Sequence, residues 1–292
     1  MSISASLVME LRSRTGAGMM ECKKALTETN GDLEAAIEHM RKTGMAKADK
    51  KANRVAAEGR VAIAFAKDAR HGAIVEVNSE TDFVGGNPDF VAFVGMVATA
   101  ALTSGATTIE ALGAAKLADG TTVDDTRRAL VAKIGEKLAL RRVELLTAKG
   151  TLTSYLHGTK IGVVVDVSGG GAELSKDLAM HIAASKPMCV SADQIPADVM
   201  AKERTIVEAQ AAASGKPPEI VAKMVEGRLR KFAGESSLLG QAFVKDPDTT
   251  VEKLLLQAGA TVHGFVRYTV GEGIEKAKGD FVAEVMAQAR GG

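Results

Sequence analysis

Three carboxylates crowd the stretch Glu76-Val77-Asn78-Ser79-Glu80-Thr81-Asp82-Phe83. Paired carboxylates can divide general-acid and general-base work between them. Here Glu76 falls in a strand pattern, and Glu80 and Asp82 share a parity in the loop after it, so a solvated edge explains them as well as a dyad does. The five histidines, His39, His71, His157, His181 and His263, are scattered, with no H-x-x-x-H or C-x-x-C partner to complete a metal-ligand set. Cys22 and Cys189 have no fixed base nearby, and no G-x-S-x-G nucleophile turn occurs. Gly169-Gly170-Gly171 lacks the G-x-x-x-x-G-K-[ST] frame of a phosphate loop. Gly271-Glu272-Gly273 lacks the third glycine of a dinucleotide turn. These residue types argue against catalysis, a bound metal and a cofactor, and they leave binding surface. The Asp82-Phe83 pair stands at a strand-to-helix corner, Met19-Met20 follows a glycine-rich turn, and His181 lies on an apolar helix face. Burying a Phe is worth roughly 1.5–3 kcal/mol. Phe83 therefore either caps its own core or is a peg for another protein, and His181 is either a half-buried structural residue or a partner contact.

The bulk composition narrows the classes. The 292 residues carry 37 Lys and Arg against 36 Asp and Glu, a net charge of +1 with the signs interleaved. A nucleic-acid binder shows a basic excess or stripe, so no direct nucleic-acid partner is expected. Two unclustered cysteines in a chain this long read as reduced thiols. No apolar run approaches the ~20 residues of a membrane span. The N-terminal residues resemble neither a signal peptide nor a transit leader. The expectation is a cytoplasmic, multi-part protein without a membrane partner.

The scaffold for these residues can be read along the chain. Residues 1–45 read as three short helices: Leu7 and Leu11; then Met19, Cys22 and Leu26; then Leu33, Ile37 and Met40 with Asp32 as N-cap and Thr43-Gly44 as the close. Residues 46–58 read as a basic linker. Val61, Ile63 and Phe65 alternate as a strand, and 73–77 is a second. Phe90, Phe93, Val94, Val97 and Ala101 then form an amphipathic stripe. A longer helix is expected over about 124–141, with Arg141-Arg142 at its C-terminal end. The texture repeats: a strand from Gly150, a strand over 161–167, a glycine loop and a helix through Leu178 and Ile182. Segments 59–104 and 150–186 thus read as two copies of one unit, the second with glycines where the first has Thr81 to Val84. Two helical stripes about Ser214-Gly215-Lys216-Pro217-Pro218 make an antiparallel hairpin. Thr249 to Glu252 reads as a capping box, 261–268 as a strand, and 280–290 as a last helix.

With the motifs in place, the chain resembles the bacterial elongation factor Ts family. LRSRTGAGMMECKKAL (from Leu11), VNSETDFV, KIGEKLALRR (from Lys133), SYLHG, MHIAASKP, SGKPPEIVAKMVEGRLRKF, QAFVKDP and VGEGIEK match that family in one collinear order. The resemblance covers essentially the whole chain. It implies an α+β fold: a ubiquitin-associated-like three-helix module (1–45), a linker (46–58), a duplicated core with small antiparallel sheets (59–142, then 143–190 with 233–268), an inserted helical hairpin (191–232) and a C-terminal helical module (269–292).

The resemblance also implies function. Members are guanine-nucleotide exchange factors for elongation factor Tu, in its GDP-bound and nucleotide-free forms, and not enzymes. Carried over residue by residue, the wedge that disturbs the Mg²⁺ site is Asp82-Phe83, flanked by Thr81 and Val84. Other partner contacts fall on Arg12, Met19, Met20 and His181. The runner-up is a translation-associated or chaperone-like interaction protein without exchange activity. The hairpin is a candidate docking surface for a second copy or another partner. One departure stands out: the family's small-then-basic pair after the wedge is here Gly85-Gly86, which predicts a more flexible corner without that charge.

Overall fold

The computed structural model describes residues 3–275. The chain is α+β and divides into two compact units. One takes in the residues up to Ala64, Ala73–Leu145 and those from Thr269; the other takes in Phe65–Gly72 and Leu146–Tyr268.

The first unit opens with helices α1 (Ala5–Thr15), α2 (Met19–Glu28) and α3 (Leu33–Lys51). Their ends are set by local chemistry. The Ser4 hydroxyl accepts from the Leu7 N–H, Gly16 turns left-handed at the end of α1, and the Asp32 carboxylate accepts from the Ala35 N–H at 2.9 Å. Leu11, Cys22, Leu26 and Ala36 are fully buried and form the small core between the three helices. Thr43-Gly44 does not close α3, which runs on to Lys51. Gly44 is not left-handed, and a Cβ placed on it would lie 3.0 Å from the Cβ of Ala132. Its small size serves close helix packing rather than termination.

Strands β1 (Glu58–Phe65) and β2 (His71–Ser79) follow, then a 3-10 turn over Phe83–Gly86 and helices α4 (Pro88–Ser104), α5 (Ile109–Ala114) and α6 (Val123–Ile134). The α4 stripe packs Phe90, Phe93, Val94, Val97 and Ala101 onto Ala73, Val75 and Val77 of β2. The helix expected over 124–141 is corrected here. It ends at Ile134 because Gly135 adopts φ 87°, and Leu138–Thr147 becomes strand β3 beside β2 in the order β1-β2-β3. Leu138 falls at helical spacing from Leu130 and Ile134, and that spacing hides the change of period. Arg141 and Arg142 are thus strand residues, not cations at a helix end.

The second unit repeats the plan. Strands β4 (Thr151–His157) and β5 (Ile161–Ser168) pair antiparallel, Thr151 opposite Val167 and His157 opposite Ile161. Helix α7 (Gly171–Ser185) follows, and a later strand, β8 (Thr261–Thr269), completes the order β4-β5-β8. Both sheets are therefore built strand, strand, helix, closing strand. Between α7 and β8 lie the hairpin helices α8 (Ala197–Ala212) and α9 (Pro218–Ser236), the short antiparallel pair β6 (Ala242–Phe243) and β7 (Asp246–Thr250), and α10 (Val251–Ala258). Val207 and Ala211 pack on Val225 and Leu229 inside the hairpin. The N-cap of α10 is Thr250, accepting from the Lys253 N–H, so the box read from Thr249 and Glu252 is displaced by one residue. The glycine run after β5 has a steric cause: all three residues are left-handed, and a Cβ on Gly169 would fall 2.3 Å from the Gly259 carbonyl oxygen. The helix expected over 280–290 lies outside the described residues.

Candidate partner-binding site

The corner after β2 is pinned on both sides of two projecting residues. On the near side the Thr81 backbone N–H donates to Glu136 Oε2 at 2.9 Å, and the Thr81 hydroxyl donates to Glu136 Oε1 at 2.6 Å. The reciprocal bond lies one residue along, where Glu80 Oε1 accepts from the Lys137 N–H at 2.6 Å. The Lys137 ammonium donates to the Arg54 carbonyl at 2.7 Å, and Arg54 pairs with Glu80 at 3.2 Å. On the far side Val84 is buried in the α4 core, and Arg60 Nη1 donates to the Gly85 carbonyl at 3.2 Å. Asn87 then caps α4 by accepting from the Asp89 and Phe90 N–H groups. Thr81 and Val84 turn inward. Asp82 and Phe83 turn outward, and Phe83 is 87% exposed. An apolar ring this open gains nothing from the fold that carries it. Gly85-Gly86 adds no left-handed residue to the turn, and nothing lies within 4 Å of a Cβ placed on Gly86.

Upstream, β2 is buried on both faces. Ala73, Val75 and Val77 meet the core, and Ile74, Glu76 and Asn78 face the other way. Glu76 has no exposed surface, yet it is ionic. Its Oε1 accepts from Arg141 at 2.8 Å, from the Gly271 N–H at 2.8 Å and from Asn78 at 3.0 Å, and its Oε2 accepts from Arg142 at 2.6 Å. Burial works against the charged form, but the Gly271 N–H and the two guanidinium groups outweigh it and hold the carboxyl below the ordinary carboxylate range. Glu76 is thus tied up in structure and is not the partner of an acid-base dyad with Glu80 and Asp82. Glu80 is likewise committed, to Lys137 and Arg54.

The remaining candidate residues divide. Arg12, Met19 and Met20 are exposed around the α1–α2 turn, Met20 at 76%. That turn and the Phe83 corner belong to one unit and are joined through Lys133, whose side chain lies against Gly16 and whose ammonium pairs with Asp89 at 2.7 Å. His181 belongs to the second unit and has no exposed surface. Its Nδ1 accepts from the Val244 N–H at 3.2 Å, which assigns the Nε2 proton to the Gln241 carbonyl oxygen at 2.9 Å, and its ring lies 5.8 Å from that of Phe243. Burial lowers its pKa against a smaller opposing effect of the Gln241 bond. Sequence reasoning missed Glu136. The only signal for it was its place in the KIGEKLALRR run, since a Glu inside the helix expected over 124–141 reads as solvated.

A family model described as elongation factor TS matches residues 80–272. The chain belongs to the elongation factor Ts family. It is 60% identical over 291 residues to elongation factor Ts of Methylococcus capsulatus, with 99% of each chain covered. It is 58% identical to that of Thioalkalivibrio sulfidiphilus, with all of both chains covered, and 57% identical to that of Legionella pneumophila, with 99% of each covered. These full-length matches take in Arg12, Met19 and Met20, which the family model does not reach. Among the described residues no helix is long and apolar enough to cross a membrane, and no group of three or more His, Cys, Asp or Glu side chains is placed to hold a metal ion.

Proposed function

We propose that this chain is a cytoplasmic guanine-nucleotide exchange factor for elongation factor Tu, taking the GDP-bound form and leaving it nucleotide-free. The observation that carries the reading is an 87% exposed Phe83 held between two inward anchors, in a chain of this family. A ring offered to solvent from a pinned corner is built to be buried elsewhere. GDP and Mg²⁺ are held by oxygen ligands and phosphate-facing amides. A protein that binds the empty partner better than the filled one weakens nucleotide binding by the same factor, because the two affinities are linked. Phe83 supplies apolar binding energy to the displaced arrangement, and the Asp82 carboxylate competes for groups that position Mg²⁺. No bond is made or broken, so the chain acts by binding and not as an enzyme. Arg12, Met19 and Met20 extend the same contact surface, Met being adaptable at interfaces. His181 has no exposed surface to offer a partner, so the direct contact expected of it gives way to a structural role, holding the Val244 N–H and Gln241 in place.

The test is release of fluorescent GDP from elongation factor Tu in stopped flow. Losing roughly 1.5–3 kcal/mol of ring burial corresponds to about 10- to 150-fold in rate. Phe83→Ala is expected to slow release at least tenfold while its thermal unfolding stays at the wild-type midpoint. Unchanged release would remove the wedge assignment. A wild-type chain that failed to accelerate release would favour an interaction protein without exchange activity.

A further inference from the structure

We infer that Glu136 is a positioning residue for exchange, holding the corner from which Asp82 and Phe83 project. This rests on the exchange reading above. Two loops 55 residues apart in sequence trade bonds between consecutive residues. Glu136 takes both the N–H and the hydroxyl of Thr81, and Glu80 takes the N–H of Lys137. Each carboxylate binds the other loop's backbone, which holds the two segments in one register. Lys137 and Arg54 tie a third segment, the stretch after α3, to the same point. Val84 and Gly85 fix the far side. The freedom left between these anchors is two residues long, and those two are the ones with exposed side chains.

The clasp matters because an exposed Phe on an untethered loop samples many directions. A conformation populated only in part lowers the apparent strength of any step that needs it by that fraction. Ordering a loop on the partner costs free energy, a cost that a preset loop has already met in folding. Glu136 does this work without touching the partner. The surface around Arg12, Met19 and Met20 still engages when the clasp is cut. Loss of Glu136 therefore falls on insertion of the wedge and not on encounter.

Stopped-flow GDP release from elongation factor Tu, titrated with the full chain, separates the two. Glu136→Ala is expected to lower the maximal release rate about tenfold, with the half-saturating concentration shifted less than about threefold. Thr81→Val removes one of the two bonds and should give an intermediate loss. Glu136→Gln keeps a carbonyl oxygen for the Thr81 N–H and an amide to donate to the Thr81 hydroxyl, and should restore most of the rate. In a Phe83→Ala background, Glu136→Ala should add less than about twofold, because the ring it presents is gone. The inference is overturned if Glu136→Ala exchanges at the wild-type rate while Phe83→Ala is slow. It is also overturned if Glu136→Ala costs the same factor in both backgrounds, which marks a general weakening of the unit, or if Glu136→Gln is as slow as Glu136→Ala. Wild-type release from Phe83→Ala itself would instead sink the wedge reading, and this inference with it.

Discussion

Replacing Glu76 by Gln tests whether the first sheet is held by a buried charge. The substitution keeps the volume and one acceptor. The Gln carbonyl oxygen can replace Oε1 toward Arg141, Asn78 and the Gly271 N–H. Its amide then faces Arg142, donor against donor, where Oε2 now accepts at 2.6 Å. A hydrogen bond involving a charged group contributes about 1.5–3 kcal/mol and a neutral one about 0.5–1.5 kcal/mol. Losing the Arg142 bond and weakening that to Arg141 together cost about 3 kcal/mol. That is the low end of the loss caused by removing one partner of a buried pair, because the Arg141 and Arg142 side chains are 22% and 28% exposed and regain some water. Native-state hydrogen exchange of the β2 amides reads this unit without interference from the other. The pH dependence supplies a second arm. The folded-state pKa of Glu76 is depressed, so its stabilisation is complete above the unfolded value of about 4.3 and is lost as pH falls through the lower folded value. The gap between wild type and Glu76→Gln should hold at neutral pH and narrow only below about pH 4. Wild-type β2 protection in the variant at neutral pH would refute the account, as would a gap that stayed constant into that acid range.

The same geometry sets two more expected outcomes. Gly86→Ala meets no atom within 4 Å and needs no left-handed backbone, so it should raise stability by about 0.4–1 kcal/mol in denaturant melts through the unfolded chain alone, without slowing GDP release. His181 is held neutral, with Nδ1 accepting from Val244; its lowered pKa means stability is complete above the unfolded value near 6.5 and falls as pH drops below it. Urea melts of the wild type between pH 7.5 and 5.5 should lose at most about 1.4 kcal/mol per pH unit from this group, and His181→Gln should lose that component.

Local chemistry was plain in the chain. The three N-terminal helices, the Asp32 cap, the α4 stripe, the first two strands of each sheet and the α8–α9 hairpin arise from spacing and turn residues that act within a few positions. The corner at Asp82-Phe83 was legible for the same reason, whereas Gly85-Gly86 stood out only against the family's usual pair. β3 was not, because Leu130, Ile134 and Leu138 keep helical spacing across Gly135, and only the sheet decides that the segment from Leu138 lies beside β2. Gly44 read as a stop and is instead a place where α6 comes close.

Charge and exposure were decided in three dimensions. Sequence left open whether Phe83 was a cap or a peg, and whether Glu76, Glu80 and Asp82 formed one acidic group. Those questions turn on partners far along the chain: Arg141, Arg142 and Gly271 for Glu76, Lys137 and Arg54 for Glu80, Glu136 for Thr81. A carboxylate carries no mark in sequence of which distant donor it will meet. A ring's burial depends on the whole surface that closes over it, or leaves it open. The order of residues was enough to put a Phe at this corner; the fold alone made it an exposed one, held between two anchors.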